Sequence, residues 1–188
     1  MKLPGSIVSV AIATLTFSTL VIATAQDQQA QFSSLPSEKY RASEILWKGH
    51  FGGRKEEPHN VYCLMTQGAF RAPTSDDFEK LIETWLGQHP NAEASVVYVL
   101  SPSLTDFPDS KMKSVWVVEG EDNLNIYLVR KGGCPAGTML LNPGDKTALT
   151  REEYESFSKR LNEAEQLAKK EELGIWSDRP VSIEISKS

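Results

Sequence analysis

Apolar residues in the last third of the chain recur at spacings of three and four: Tyr154, Phe157, Leu161, Ala164 and Ala168. That period places them on one stripe of an α-helix and leaves the other faces charged. Thr150 with Glu153 three residues on forms a capping box, so the spacing predicts a helix from about 151 to 173. Gly174 supplies a stop, and Ile175 and Trp176 follow it as apolar anchors. Glu155 with Lys159 and Glu165 with Lys169 stand four apart in the favourable order. Upstream, Phe78, Leu81, Ile82 and Trp85 repeat the helical period within Asp76 to Gly87.

Other stretches read as strands. Ser43 to Trp47 is a short strand, and Val61 to Met65 with Ala69 to Arg71, separated by Thr66-Gln67-Gly68, reads as a hairpin. Ser95 to Leu100 and Val115 to Val118 are apolar strands, the latter ending in the turn Glu119-Gly120-Glu121-Asp122. Ser101 to Ser114, which holds Pro102 and Pro108, reads as a loop. Five strands, a helix after the third and two helices at the end predict an α+β domain: an OB-type five-stranded barrel.

The first 25 residues have the layout of a secretory signal: Lys2, an apolar run from Ile7 to Ile22, and the small residues Ala23-Thr24-Ala25. An uncleaved anchor competes with that reading, because Ile7 to Ala25 is just long enough to span a bilayer. Absence of a cysteine near the cleavage site excludes a bacterial lipoprotein. Cleavage leaves about 163 residues, enough for one core. The expected organisation is a signal over 1–25, a disordered polar lead-in over 26–40, one domain over 41–178 and a tail over 179–188. The protein is then exported to a periplasm or the exterior, without membrane contact once the signal is removed.

Removing Lys2 from the 20 basic residues leaves 19 against 25 acidic ones, a charge of −6 with the histidines neutral. Nucleic-acid binding draws much of its free energy from phosphate neutralisation, so this balance argues against a general nucleic-acid coat protein. Cys63 and Cys134 are the two cysteines. In an exported chain an even count predicts a disulfide, the alternative being two buried thiols.

Two segments carry a more specific signal. Asn125 to Gly132 reads N-I-Y-L-V-R-K-G, and Ala164 to Trp176 reads A-E-Q-L-A-K-K-E-E-L-G-I-W. Together they resemble the C-terminal half of the staphylococcal nuclease-like (thermonuclease) family, strongly over 115–178 and weakly from 76. The resemblance implies a barrel that cleaves phosphodiesters with Ca²⁺ held by acids, a glutamate that activates water, and two arginines that clamp phosphate.

The family's active-site motifs are largely absent. D-G-D-T is missing, with Glu56-Glu57-Pro58-His59 the nearest material, and Lys111-Met112-Lys113 stands in place of Y-G-R. Arg71, Asp76 and Glu79 keep the family's R-x4-D-x2-E spacing, and Glu57 falls where a metal-binding aspartate would sit. Thr74 with Asp77, however, also reads as a capping box, with acids in the first helical turn.

His50, His59 and His89 lie in loops without metal-ligand spacing and read as surface residues, as do Lys111 and Lys113, although a lysine pair there would attract a phosphate. Trp85, Trp116 and Trp176 read as core rather than base-stacking platforms. Two readings follow. The first is a catalytically degenerate binding or structural module with no cofactor and an unknown partner. The alternative is a divergent nuclease acting on DNA or RNA, with Glu57 and Asp76 on Ca²⁺ and Arg71 and Glu79 catalytic.

Overall fold

The structure is a computed structural model, and it describes residues 30–65, 73–100, 111–137, 141 and 144–177. Among the described residues there are seven strands: β1 (Glu38–Arg41), β2 (Leu46–Lys48), β3 (Phe51–Arg54), β4 (Glu57–Leu64), β5 (Glu93–Leu100), β6 (Met112–Glu119) and β7 (Asp122–Asn123). The helices are α1 (Phe78–Gln88), α2 (Leu124–Arg130) and α3 (Arg151–Lys170), with short 3-10 turns at Ala42–Glu44 and Gly174–Trp176. The order across the sheet is β1-β5-β6-β4-β3-β2, and β7 pairs with β6. All neighbours are antiparallel except β4 and β6, which run parallel from Val61 opposite Met112 to Leu64 opposite Val115.

The two ends of that order, β1 and β2, are consecutive in the chain and joined by a single 3-10 turn. A mixed sheet whose ends are so tethered must curl, and it forms a half-barrel with the three helices packed on it, an α+β arrangement. Alternation along the strands sends Tyr62 and Leu64 of β4, Val115 and Val117 of β6, and Ala94 and Val96 of β5 into the core. They meet Ile82 and Trp85 of α1, Leu128 of α2, and Phe157, Leu161 and Ala164 of α3. A register shift between Val96 and Tyr98 interrupts the β5 alternation. Val97 joins a second, smaller cluster with Met65 and Leu149, against which Trp116 and Tyr154 pack.

The predicted stripe of α3 is the buried one: Phe157, Leu161, Ala164 and Ala168. Its capping box is also present, Glu153 N–H donating to Thr150 Oγ1 at 3.1 Å and Thr150 N–H to Glu153 Oε2 at 2.8 Å. Lys169 pairs with Glu165 at 2.8 Å, whereas Lys159 reaches Glu163 rather than Glu155. The helix ends at Lys170, and Glu172 and Gly174 take φ of 53° and 55°.

α2 is fixed to the sheet by one side chain. Asn125 is fully buried, accepts from Val117 N–H at 3.0 Å and donates to Val115 C=O at 3.1 Å. At its exit, Gly132 (φ 69°) crosses Gly174 with backbone against backbone, and Ile175 N–H donates to Gly132 C=O at 2.8 Å. A Cβ on Gly132 would lie 2.0 Å from Leu173 O, and one on Gly174 would lie 2.1 Å from Gly132 O.

Several expectations change. The lead-in expected over 26–40 ends in structure: Glu38–Arg41 is β1, and Gln31, Ser33 and Ser34 donate backbone bonds to Asp145, Leu149 and Thr147. Ser43 to Trp47 divides into a 3-10 turn and β2. β3 is not among the predicted strands, because Phe51-Gly52-Gly53-Arg54 is half glycine and has no apolar alternation. Gly52 is needed there for close packing, since a Cβ would sit 2.4 Å from Ile45 Cγ2. β6 begins at Met112, inside the expected loop. The second hairpin strand expected at 69–71 and the signal segment over 1–25 lie outside the described residues. Among the described residues, no helix is long and apolar enough to cross a membrane.

In the structure Cys63 and Cys134, expected to form a bridge, both stand as thiols. Cys63 falls between Tyr62 and Leu64, which point into the core, so it faces the other side of β4, while Cys134 is buried within the core cluster. Burial pushes the Cys63 thiol up to about 11. Cys63 is therefore expected to resist alkylation in native protein at pH 8 and to react on denaturation. A non-reducing mass two hydrogens below the dithiol value would restore the bridge.

Candidate functional site

Strand alternation places a lysine on the inner face at one end of the half-barrel. Lys113, Val115 and Val117 share one side of β6, and the Lys113 side chain is only 7% exposed. A buried ammonium must find acceptors for its three N–H bonds. Its Nζ lies 2.8 Å from each of Glu38 Oε2, Tyr40 OH and Glu57 Oε2. The reading of Lys113 as a solvated loop residue is thereby corrected.

Glu57, at the start of β4, is equally engaged. Its Oε2 also accepts from Asn60 Nδ2 at 2.5 Å and Tyr62 OH at 2.9 Å, and its Oε1 from Arg54 NH1 at 3.2 Å. Arg54 NH2 reaches Glu44 at 3.1 Å, and the guanidinium lies over the Tyr40 ring, 4.0 Å from its centroid. The Tyr40 hydroxyl is 2.7 Å from Glu38 Oε2. β1, the turn after it, β3, β4 and β6 are thus tied by side chains at a place where β1 and β4 share no backbone ladder.

Burial acts on these ionisations first and is outweighed. It raises the Glu57 carboxyl, but donation from Lys113, Asn60 and Tyr62 holds it down to about 2. Glu38 is lowered, the Lys113 hydrogen bond dominating. Burial lowers Lys113, yet Glu38, Glu57 and Tyr40 together hold it above the ordinary lysine value. His50, against the Phe78 ring at 4.5 Å, is pushed down to about 4 by burial, which corrects its reading as a surface residue.

The signs follow from linkage. His50 takes up a proton in the unfolded chain near 6.5 but not in the native one until about 4, so stability falls as pH drops through that window. Glu57 contributes fully above 4.5 and is lost as pH falls towards 2, with Glu38 in the same direction. The Lys113 contribution is complete below 10.5 and is lost at higher pH. Chemical denaturation at successive pH values should show two acid phases, with the upper one absent in His50→Gln. A single phase unaffected by that substitution would remove His50 from the account.

The other expected site residues are not gathered here. Asp76 and Glu79 are exposed at the start of α1, where Glu79 Oε1 accepts from Gly49 N–H at 3.1 Å. The N-cap is Asp77 without a side-chain cap bond, and Ser75 Oγ donates to Asp77 Oδ1, so the Thr74–Asp77 capping box is not formed. Arg71 lies outside the described residues. Among the described residues, no three His, Cys, Asp or Glu side chains form a group that could hold a metal ion.

No motif in the sequence joins Lys113, Tyr40, Tyr62 and Glu38 into one cluster. The signal available was the period-2 alternation of Lys113 with Val115 and Val117. No protein-family model matches the chain, and no curated protein matches it.

Proposed function

We propose that this chain is an exported, catalytically degenerate domain of the staphylococcal nuclease-like type, built on an OB-type five-stranded barrel, that acts as a binding or structural module. One observation carries the reading. All three Lys113 N–H bonds and the Glu57 carboxylate are taken up by neighbouring side chains. Lys113 stands in the segment that replaces the family's Y-G-R, and Glu57 stands near its metal-binding acid. A phosphate clamp needs unspent donors and a Ca²⁺ site needs unspent carboxylate oxygens. In this chain those positions serve to tie strands together. The barrel topology is supported by the strand order, in which β1 and β2 act as two halves of one bent first strand.

Purified mature protein is expected to release no product from single-stranded DNA or RNA with Ca²⁺ above a matched blank. Loss of one charge-stabilising group commonly costs orders of magnitude, and here both flanking motifs are absent. Turnover that requires Ca²⁺ and disappears in Arg71→Ala and Glu79→Gln would establish the nuclease reading instead.

A further inference from the structure

A groove runs between β2 and α1, with the buried Ile45 and Ile82 at its floor. Its volume is about 230 Å³. Pockets for small molecules run from roughly 300 Å³ upwards, so this one accommodates a long side chain rather than a cofactor. Its walls are apolar: Leu46 and Trp47 from β2, Ile82 and Leu86 from α1. Leu46 is 79% exposed, and the only other exposed large apolar side chain among the described residues, Leu167, is 45% exposed.

The rim is acidic. Glu79 and Glu83 stand one helical turn apart above the apolar walls. One Glu79 oxygen accepts from Gly49 N–H, and Glu83 is exposed and makes no ion pair among the described residues. Apolar walls below carboxylates complement a lysine or arginine side chain, whose aliphatic stem lies on carbon while its cation meets the acids. β2 stands at one end of the strand order, so no other described strand takes up its outer main-chain groups. An extended segment finds backbone partners along such an edge.

We propose that this groove binds an extended partner peptide through one basic side chain flanked by apolar residues, the cation at Glu79 and Glu83 and the flanking residues on Leu46 and Leu86. The inference rests on the binding-module reading for its biological sense. The two fail separately, since the hydrolysis assay tests one and peptide binding the other.

The probe is a blocked pentapeptide with arginine at its centre between two valines, with a control carrying glutamate at the centre. Titration into isotope-labelled protein, followed by amide and indole NMR signals, should move the resonances of Leu46, Trp47, Glu79 and Glu83 saturably, and the control should not. Glu83→Lys, a surface change compatible with folding, should weaken binding by about fivefold or more. Absence of saturable shifts, equal response to the control, or indifference to Glu83→Lys would overturn the proposal. Movement of the same resonances on dilution without peptide would overturn it in favour of a second copy of the chain.

Discussion

Gly174→Ala is expected to destabilise the domain by about 3–5 kcal/mol, lowering the thermal midpoint by roughly 10 °C, and Gly132→Ala should do the same. Left-handed backbone accounts for only about 1 kcal/mol of this. The remainder comes from collision: each new Cβ would meet backbone at 2.0–2.1 Å, and backbone cannot rotate aside as a side chain can. Gly120→Ala is the matched control, because Gly120 has φ of 62° but nothing within 4 Å of its Cβ position. It should cost about 1 kcal/mol. Equal losses at Gly120 and Gly174 would mean that backbone conformation, not the crossing, explains the effect.

Lys113→Met should cost about 3 kcal/mol, because it leaves Glu38 and Glu57 facing each other without their shared cation. Their partial exposure keeps the figure at the low end for a broken buried pair, since solvent screens the carboxylates. Glu57→Gln should cost less, as an amide oxygen still accepts from Tyr62 and Lys113. The double substitution should fall short of the sum by at least about 1 kcal/mol, the mark of a shared network. Lys39→Met is the comparison, its pair with Glu93 being exposed on both sides. It should change stability by about 0.5 kcal/mol or less. If equilibrium unfolding shows Lys113→Met to be as mild as Lys39→Met, the network does not hold the strands together.

Local periodicity made much of the fold legible. α3 and its buried stripe, its capping box, α1 with Phe78, Ile82 and Trp85, and the strand at Val115 to Val118 all depend on residues within a few positions of one another. Strands with weak internal patterns were harder to see. β3 is half glycine, and β1 is four residues of mostly polar sequence. Each becomes a strand because a partner supplies the ladder: β5 for β1, β4 for β3.

The candidate site divides along the same line. Glu57 could be singled out from its position relative to the resemblance, yet its chemistry is set by Lys113, 56 residues away, and by Arg54, Asn60 and Tyr62. Alternation with Val115 and Val117 is a weak local mark of burial for Lys113, because lysine at the start of a strand usually reaches solvent. The parallel register of β4 on β6 puts Tyr62 opposite Lys113, and the pairing of β1 with β5 brings Glu38 and Tyr40 within reach.

By itself, then, the sequence determined where α3 begins, which faces α1 and α3 bury and where Gly174 follows the last helix, since capping, helical period and backbone freedom act over about four residues. Only the tertiary structure decided that Gly132 and Gly174 must cross and that Lys113 and Glu57 neutralise each other. Those outcomes depend on strand register and helix docking between segments 40 to 75 residues apart, and a charged or small residue takes its role from whatever that register places against it.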